Sequence, residues 1–232
     1  MSLHLLPNRL SDDQDLTLVL PKEVLEVVKS LQHLIVENEK EARKYIFQLL
    51  PREEALKLKI YLLNEHTSEK ELDLLTKRVL KNKEEWGVLS DAGLPSISDP
   101  AYRIVTKLRK HAYPIKVYAG PSAPIYALLL SGFAGDAFSY HGYLPRKEEE
   151  LTGKLQELEK KSKKDSGVQI WIDAPYRTQK MVDICLKSLQ PTTLFSVSIN
   201  LTSSKEKVIV DKVASWKKIR FEKEPAVFLL KA

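Results

Sequence analysis

Short apolar runs alternate with charged, amphipathic segments from Leu3 to Tyr118, and this alternation restricts the fold more than any other property of the chain. Leu3–Leu6, Leu34–Val36, Ile60–Leu63, Trp86–Leu89 and Ile115–Tyr118 read as strands. Between them, Lys22–Leu31 (introduced by Pro21), Glu39–Leu50, Glu69–Asn82 and Ala101–His111 read as helices. In Glu69–Asn82 the apolar residues Leu72, Leu75, Val79 and Leu80 recur on a helical spacing. Strands separated by helices predict a largely parallel sheet covered on both faces. After Gly120 the pattern loosens: helices Ser122–Ser131, Lys147–Lys164 and Gln179–Leu189 accompany strands Ala137–Tyr140, Val168–Ile172, Leu194–Ile199, Val208–Val210 and Val227–Leu230. Few helices separate the later strands, so the second sheet is predicted to be mixed. The expected fold is α/β, with two α/β domains, residues 1–118 and 119–232, and an active-site cleft between them.

Two strand ends carry unusual chemistry. Gly87-Val88-Leu89 runs into Ser90-Asp91-Ala92-Gly93-Leu94-Pro95-Ser96-Ile97-Ser98-Asp99-Pro100, after which a helix starts. Ala92 and Gly93 leave the backbone open to close approach. Asp99-Pro100 offers a side-chain acceptor to the first free amides of the helix and a residue pre-set for its first turn. A tight, well-capped turn with nothing bound has the same composition. The second corner, Val117-Tyr118-Ala119-Gly120-Pro121-Ser122-Ala123, again joins a strand to a helix, with Ser122 as the expected cap. Paired corners of this kind suit a ligand held at strand carboxyl ends. Neither is a GxGxxG or a lysine-bearing phosphate loop, so a pyrophosphate ligand is not indicated.

Composition removes other classes. With Cys185 as the only cysteine there is no internal disulfide, and a reducing, cytoplasmic setting is expected. One cysteine and five scattered histidines offer no metal-ligand spacing. No basic-then-apolar leader opens the chain, and the uncharged stretch 119–135 is too short to span a bilayer. The net charge of +6 is uneven. Arg103, Lys107, Arg109, Lys110 and Lys116 form one acid-free run, and Lys205 to Lys223 holds seven basic residues against three acidic ones. Such runs suit a polyanion such as RNA, or a solvated surface.

The pair SDAGLPSISDP and AGPSAPIYALLLSGF resembles the tetrapyrrole methylase superfamily, in particular its ribosomal small-subunit methyltransferase I branch, where the motifs run close to SDAGTPLISDPG and PGPSA. Asn64-Glu65-His66 resembles that branch's HEHN segment, and Tyr140 to Pro145 its FEGFLP. Ala174-Pro175-Tyr176-Arg177 resembles ESPHR, and Asn200-Leu201-Thr202 resembles ELT. The first loop departs from the pattern: Leu6-Pro7-Asn8-Arg9-Leu10 keeps a proline but lacks the glycine of PTPIGNL. In that branch a helical extension follows the last strand, whereas the present sequence runs only two residues past the expected strand Ala226 to Leu230.

The resemblance implies S-adenosylmethionine as methyl donor, bound by Ala92, Gly93, Leu94, Ser122 and Ala123, with Pro7, Ala174, Leu201 and Ala226 lining the same site. It implies methylation of a ribose 2′-hydroxyl in small-subunit ribosomal RNA, with a tetrapyrrole or other small acceptor, or a donor-binding protein without activity, as alternatives. A ribose hydroxyl needs help to lose its proton. Glu65 and His66 are the first candidates for that base, followed by Glu37 and Asp91. Tyr143 and Arg177 are candidates for acceptor contact, although Arg177 also suits a helix cap. Family members pair, and Ile125, Tyr126, Leu128–Leu130, Phe133, Phe138, Tyr140 and Tyr143 hold more apolar surface than one inward face needs, so a homodimer is expected.

Overall fold

A computed structural model describes residues 1–82, 84–217 and 219–232, so Lys218 of the second basic run lies outside the described residues. The chain forms two compact units, Met1–Ser122 and Ala123–Ala232. The first unit closes after the Gly120-Pro121 corner rather than after Tyr118. The reason is packing: Gly120 lies against the Pro7 ring, and the Pro121 carbonyl lies beside Gly93.

In the first unit the strands are β1 (Leu3–Leu6), β2 (His33–Val36), β3 (Lys59–Leu62), β4 (Trp86–Leu89) and β5 (Ile115–Val117). They form one parallel sheet in the order β3-β2-β4-β1-β5. The helices are α1 (Leu16–Val19), α2 (Lys22–Ser30), α3 (Glu39–Leu49), α4 (Arg52–Ala55), α5 (Glu69–Lys81) and α6 (Ala101–Arg109). Ser68 and Glu71 close a reciprocal capping box at the start of α5. Two apolar layers flank the sheet. Leu6, Leu34, Val36 and Leu89 pack with α2 and α3, while Leu3, Leu5, Ile35, Trp86 and Val88 pack with α5 and α6. Burial on both faces keeps the central strands β1, β2 and β4 largely apolar, whereas the edge strands β3 and β5 are partly exposed and carry Lys59 and Lys116.

The second unit holds α7 (Ala123–Ser131), β6 (Phe138–Tyr143), α8 (Glu148–Asp165), β7 (Val168–Asp173), α9 (Thr178–Ser188), β8 (Leu194–Ile199), β9 (Lys207–Lys212) and β10 (Ala226–Lys231). Its sheet runs β6-β7-β10-β8-β9. Only β6 and β7 pair parallel; β10 and β9 pair antiparallel with their neighbours, giving the mixed sheet expected from the strand-rich sequence. Trp171, Phe195 and Phe228 stack beneath α8 and α9 as the centre of its core.

Candidate active site

The parallel order of the first sheet brings every β-strand carboxyl end to one edge. Because β4 lies between β2 and β1, the Ser90–Asp99 loop is flanked by Glu37 after β2 and by Pro7-Asn8 after β1. The first loop grips this corner directly. Asn8 Nδ2 donates to the carbonyls of Ser90 and Asp91, both at 3.0 Å, and Asn8 N–H donates to the Gly93 carbonyl at 2.7 Å. The Gly93 amide donates to the Arg9 carbonyl at 3.3 Å. Gly93 is buried and spends its backbone polar groups on the protein, so it shapes the corner on which the exposed Ala92 stands. The Gly93 φ of +70° is a conformation that L side chains avoid. Ala92 is exposed beside it, Leu94 half-buried, and Pro7 and Ser122 buried.

The far end of the loop is held by Asp99. Its Oδ1 accepts the amides of Ala101 at 2.6 Å and Ser96 at 3.2 Å, so the carboxylate caps α6 as its sequence position suggested. Ser96 and Ser98 both adopt positive φ, at 72° and 55°. Such conformations cost about 1–3 kcal/mol each and persist where the surroundings over-determine them. Asp99 is only 7% exposed, and its Oδ2 receives no N–H or hydroxyl donor among the described residues.

Glu37 meets that oxygen's carboxyl group. Asp91 and Asp99, at the two ends of the loop, both act on its carboxyl group. Burial, then the contact and charge of Asp99 and the charge of Asp91, push the Glu37 carboxyl up to about 9. Asp91 is also shifted upward, by burial first and then by Glu41 and Asp99. Two cations stand at the same corner: Lys44 pairs with Glu41 at 2.8 Å and Arg9 with Asp12 at 2.9 Å. A polar pocket of about 220 Å³, lined by residues including Asn8, Arg9, Glu41, Asp91 and Ala92, opens at this corner. With carboxylates and cations together, such surroundings suit a ligand that carries charges of both signs.

Glu65 and His66 are placed differently. They follow β3, the edge strand, two positions away from β4. Their side chains are 87% and 85% exposed and pair with each other at 3.5 Å. Asp99 escaped the sequence reading as a site residue because its partner Glu37 comes from another strand; the only available signal was its role as a cap.

In the second unit, β10 runs antiparallel between β7 and β8, and Ala226 pairs with Asp173 on one side and Ile199 on the other. This register gathers Ala174, Leu201 and Ala226 at one end of the sheet. Asn200 and Thr202 flank Leu201 with φ of 50° and 68°. Asn200 Nδ2 donates to Glu224 Oε1 at 2.8 Å, tying that loop to the start of β10. Arg177 Nε donates to Asp173 Oδ2 at 2.7 Å, and the two side chains are 12% and 6% exposed. The guanidinium is thus committed to an internal ion pair. Tyr143 ends β6 with an exposed ring, and Ala123 opens α7 half-buried.

The two basic runs also part company. Arg103 pairs with Glu69, and Lys107 with Glu69 and Asp73, so these cations join α6 to α5. Lys205, Lys207, Lys212, Lys217, Arg220 and Lys223 are exposed on and around β9.

Residues 17–216 match the family model of the tetrapyrrole (corrin/porphyrin) methylases. The chain is 29% identical over 186 residues to "Ribosomal RNA small subunit methyltransferase I" of Vibrio cholerae, covering 78% of this chain and 60% of that protein. It is 25% identical over 209 residues to the protein of the same name from Hydrogenobaculum sp., covering 90% and 84%. The chain thus spans about three-fifths of the length of the Vibrio relative. Among solved structures, diphthine synthase superposes with a TM-score of 0.66 over 100% of this chain and 90% of that one, at 16% identity, which is a likeness of fold.

Proposed function

This chain belongs to the tetrapyrrole (corrin/porphyrin) methylases, and we propose that it is an S-adenosylmethionine-dependent methyltransferase acting on a ribose 2′-hydroxyl of small-subunit ribosomal RNA in the cytoplasm. The observation that carries the reading is the Ser90–Asp99 corner. An exposed alanine and a left-handed glycine end the middle strand, beside a polar pocket that holds both carboxylates and cations. In this reading Ala92, Gly93, Leu94 and Pro7 form the donor-facing surface, with Ser122 closing the neighbouring corner. S-adenosylmethionine supplies a methyl group on a sulfonium, activated for transfer to oxygen.

The protein's part is to fix geometry and manage charge. Asn8, Glu37 and Asp99 hold the corner in one shape, so alignment is settled before the acceptor arrives. The carboxylates oppose the cation that an in-line displacement consumes. Of the candidate bases, Glu37 and Asp91 stand beside Ala92, whereas Glu65 and His66 stand on the solvent side of the edge strand. The exposed lysines around β9 suit an RNA backbone, and the acceptor named for the relatives is of that class. Pairing of two chains through α7 accords with the exposure of Leu129 (73%) and Leu130 (46%); sedimentation equilibrium showing only a 26.5 kDa species would refute it.

Calorimetric titration with S-adenosylmethionine, then transfer of labelled methyl to small subunits from a strain lacking the enzyme, tests the function. Saturable binding and label in the RNA ribose are expected. Binding with label only in a tetrapyrrole would reassign the acceptor, and binding with no product on either would leave a donor sensor.

A further inference from the structure

A second cavity, of about 530 Å³, lies between the edge strand β3 and α5, and its lining includes Leu62, Asn64, Glu71, Leu74 and Arg78. Sites for small ligands run from roughly 300 to 1,000 Å³. Leu62 and Leu74 are 52% and 59% exposed, so the groove offers bare apolar surface. β3 ends the sheet, which leaves its outer edge open beside that surface.

Charge is spread unevenly along the groove. The Arg78 guanidinium lies over the Tyr61 ring, 5.1 Å from its centroid, and has no carboxylate partner among the described residues. Lys59, two residues before Tyr61, and Lys81, one turn beyond Arg78, are exposed, so this end is basic. Glu84 feels the charge of Lys59 but is bonded to His33. The one acid in the lining, Glu71, stands seven residues from Arg78, roughly 10 Å along the helix. Its Oε2 accepts the Ser68 amide at 2.8 Å and the Ser68 hydroxyl at 2.7 Å. At the same end Asn64 Oδ1 accepts the His66 amide at 3.0 Å and the Thr67 hydroxyl at 3.4 Å, leaving Nδ2 as a donor without a partner. The Asn64 amide donates to Thr67 Oγ1 at 3.0 Å, so this wall is preformed. A lone carboxylate would need one cation. Three cations beside exposed apolar surface match the alternation of phosphate and base along a single strand of RNA.

We propose that the groove between β3 and α5 holds an unpaired nucleotide of the RNA acceptor, with its base over Leu62 and Leu74, its phosphate at Arg78 and the base edge accepting from Asn64 Nδ2. The inference rests on the RNA reading above and gives it a subsite. β3 lies two strands from β4, and neighbouring strands are about 4.8 Å apart, so the groove is roughly 10 Å across the sheet from the Ala92 strand end. The nucleotide held here is therefore a neighbour of the one methylated. Its binding sets the register of the acceptor strand rather than the chemistry of transfer.

Fluorescence anisotropy of the full chain with 5′-fluorescein-labelled pentacytidylate RNA, between about 50 and 200 mM salt, tests the subsite. Arg78→Ala should weaken binding about tenfold and lower the salt slope by about 0.7, the share of one phosphate contact on a single strand. Leu74→Ser changes no charge, and should weaken binding about fivefold at an unchanged slope. Both positions are exposed, and thermal melting checks that both variants fold. Cytidine 5′-monophosphate should compete only far above the oligomer concentration; competition at matched concentration would make this a free-nucleotide site and overturn the RNA assignment. Wild-type affinity in Leu74→Ser, a wild-type slope in Arg78→Ala, or no saturable binding to the wild-type chain would each overturn the subsite and leave the apolar face to a protein partner. With label still entering small-subunit RNA in the transfer assay, the acceptor reading survives those results. Label entering only a tetrapyrrole would overturn both.

Discussion

Gly120→Ala should damage the proposed donor corner by displacing Pro7. A Cβ at Gly120 would overlap the Pro7 Cβ, far inside the 3.0 Å that real Cβ atoms keep, and would stand 3.0 Å from Pro7 Cγ and 3.3 Å from Leu94 Cδ2. Pro7 cannot swing aside, because its ring is fixed to the backbone. Its carbonyl is also held by the Tyr45 hydroxyl at 3.2 Å, and the next residue is bonded to Gly93. The displacement must therefore pass into the first loop and from there to Gly93. Overpacking costs about 1–3 kcal/mol, and a rigid neighbour places this case in the upper half. At about 4 °C per kcal/mol for a unit of this size, melting should fall by roughly 8–12 °C, with donor affinity reduced at temperatures where the variant is folded. Gly87→Ala is the control: its Cβ would meet Leu34, Leu31 and Leu6 at 2.7–3.0 Å, but only at their Cδ1 ends, which can rotate. Scanning calorimetry and donor titration of both variants decide the matter. If Gly120→Ala melts and binds like wild type, or Gly87→Ala proves the more damaging, the packing argument fails.

Asp173→Asn leaves the Arg177 guanidinium largely buried without its counter-charge. A loss of about 3–5 kcal/mol is expected in urea unfolding, and a change within error would show the pair to be dispensable. Partial burial raises the Glu85 carboxyl, but hydrogen bonds from His4, the Met1 amino group and Ser2 outweigh it and bring the carboxyl down to about 2. Its folded value is depressed, so its contribution is complete above the unfolded value near 4.5 and lost as pH falls toward 2. Glu85→Gln should flatten the acid limb of stability between those values, as read by thermal melts against pH. Binding of small-subunit RNA should weaken by roughly 0.7–0.9 log units per log unit of salt for each phosphate contact. Replacing Lys207 and Lys212 by Ser should reduce that slope, and an unchanged slope would remove β9 from the RNA surface.

The sequence disclosed the strands of the first unit well, because β1, β2 and β4 are short runs buried on both faces, and the part-exposed edge strands β3 and β5 still carry apolar residues between charged helices. The mixed second sheet was legible from its lack of intervening helices. The four-residue helices Leu16–Val19 and Arg52–Ala55 are too short to display a helical period. The ladder of β9 extends past the apolar Val208–Val210 to Lys207 and Lys212 because an edge strand can carry its lysines into solvent. At the site, everything local to one loop could be read: the small residues at 92–93, the capping aspartate, the second corner. What could not be read was strand order. With β4 inserted between β2 and β1, Glu37 becomes the neighbour of the loop, and Glu65 and His66, on the edge strand, do not. The same limit hid the role of Gly120, whose need for a bare Cα is set by a proline 113 positions earlier.

The missing glycine of the first loop finds a physical counterpart at Gly93. A Cβ there would stand 3.2 Å from Leu10 Cδ2 and 3.3 Å from the Pro121 carbonyl, at a φ of +70°. Two costs are superposed in Gly93→Ala: limited space, set partly by Leu10, and a left-handed backbone, which costs an L-residue roughly 1–2 kcal/mol whatever the space. Leu10→Ala separates them, since it removes the closer side chain and leaves the backbone alone. If space dominates, Gly93→Ala should be nearly free in the Leu10→Ala background. The hydrogen bonds that Gly93 accepts from the Asn8 amide and donates to the Arg9 carbonyl hold its conformation from both sides, so we expect the cost to persist, with a coupling between the two substitutions of less than about 0.5 kcal/mol. Urea unfolding of the two single variants and the double variant measures that coupling. A full rescue would mean that the side chain of the first loop, rather than the backbone of the corner, is what demands a glycine at position 93.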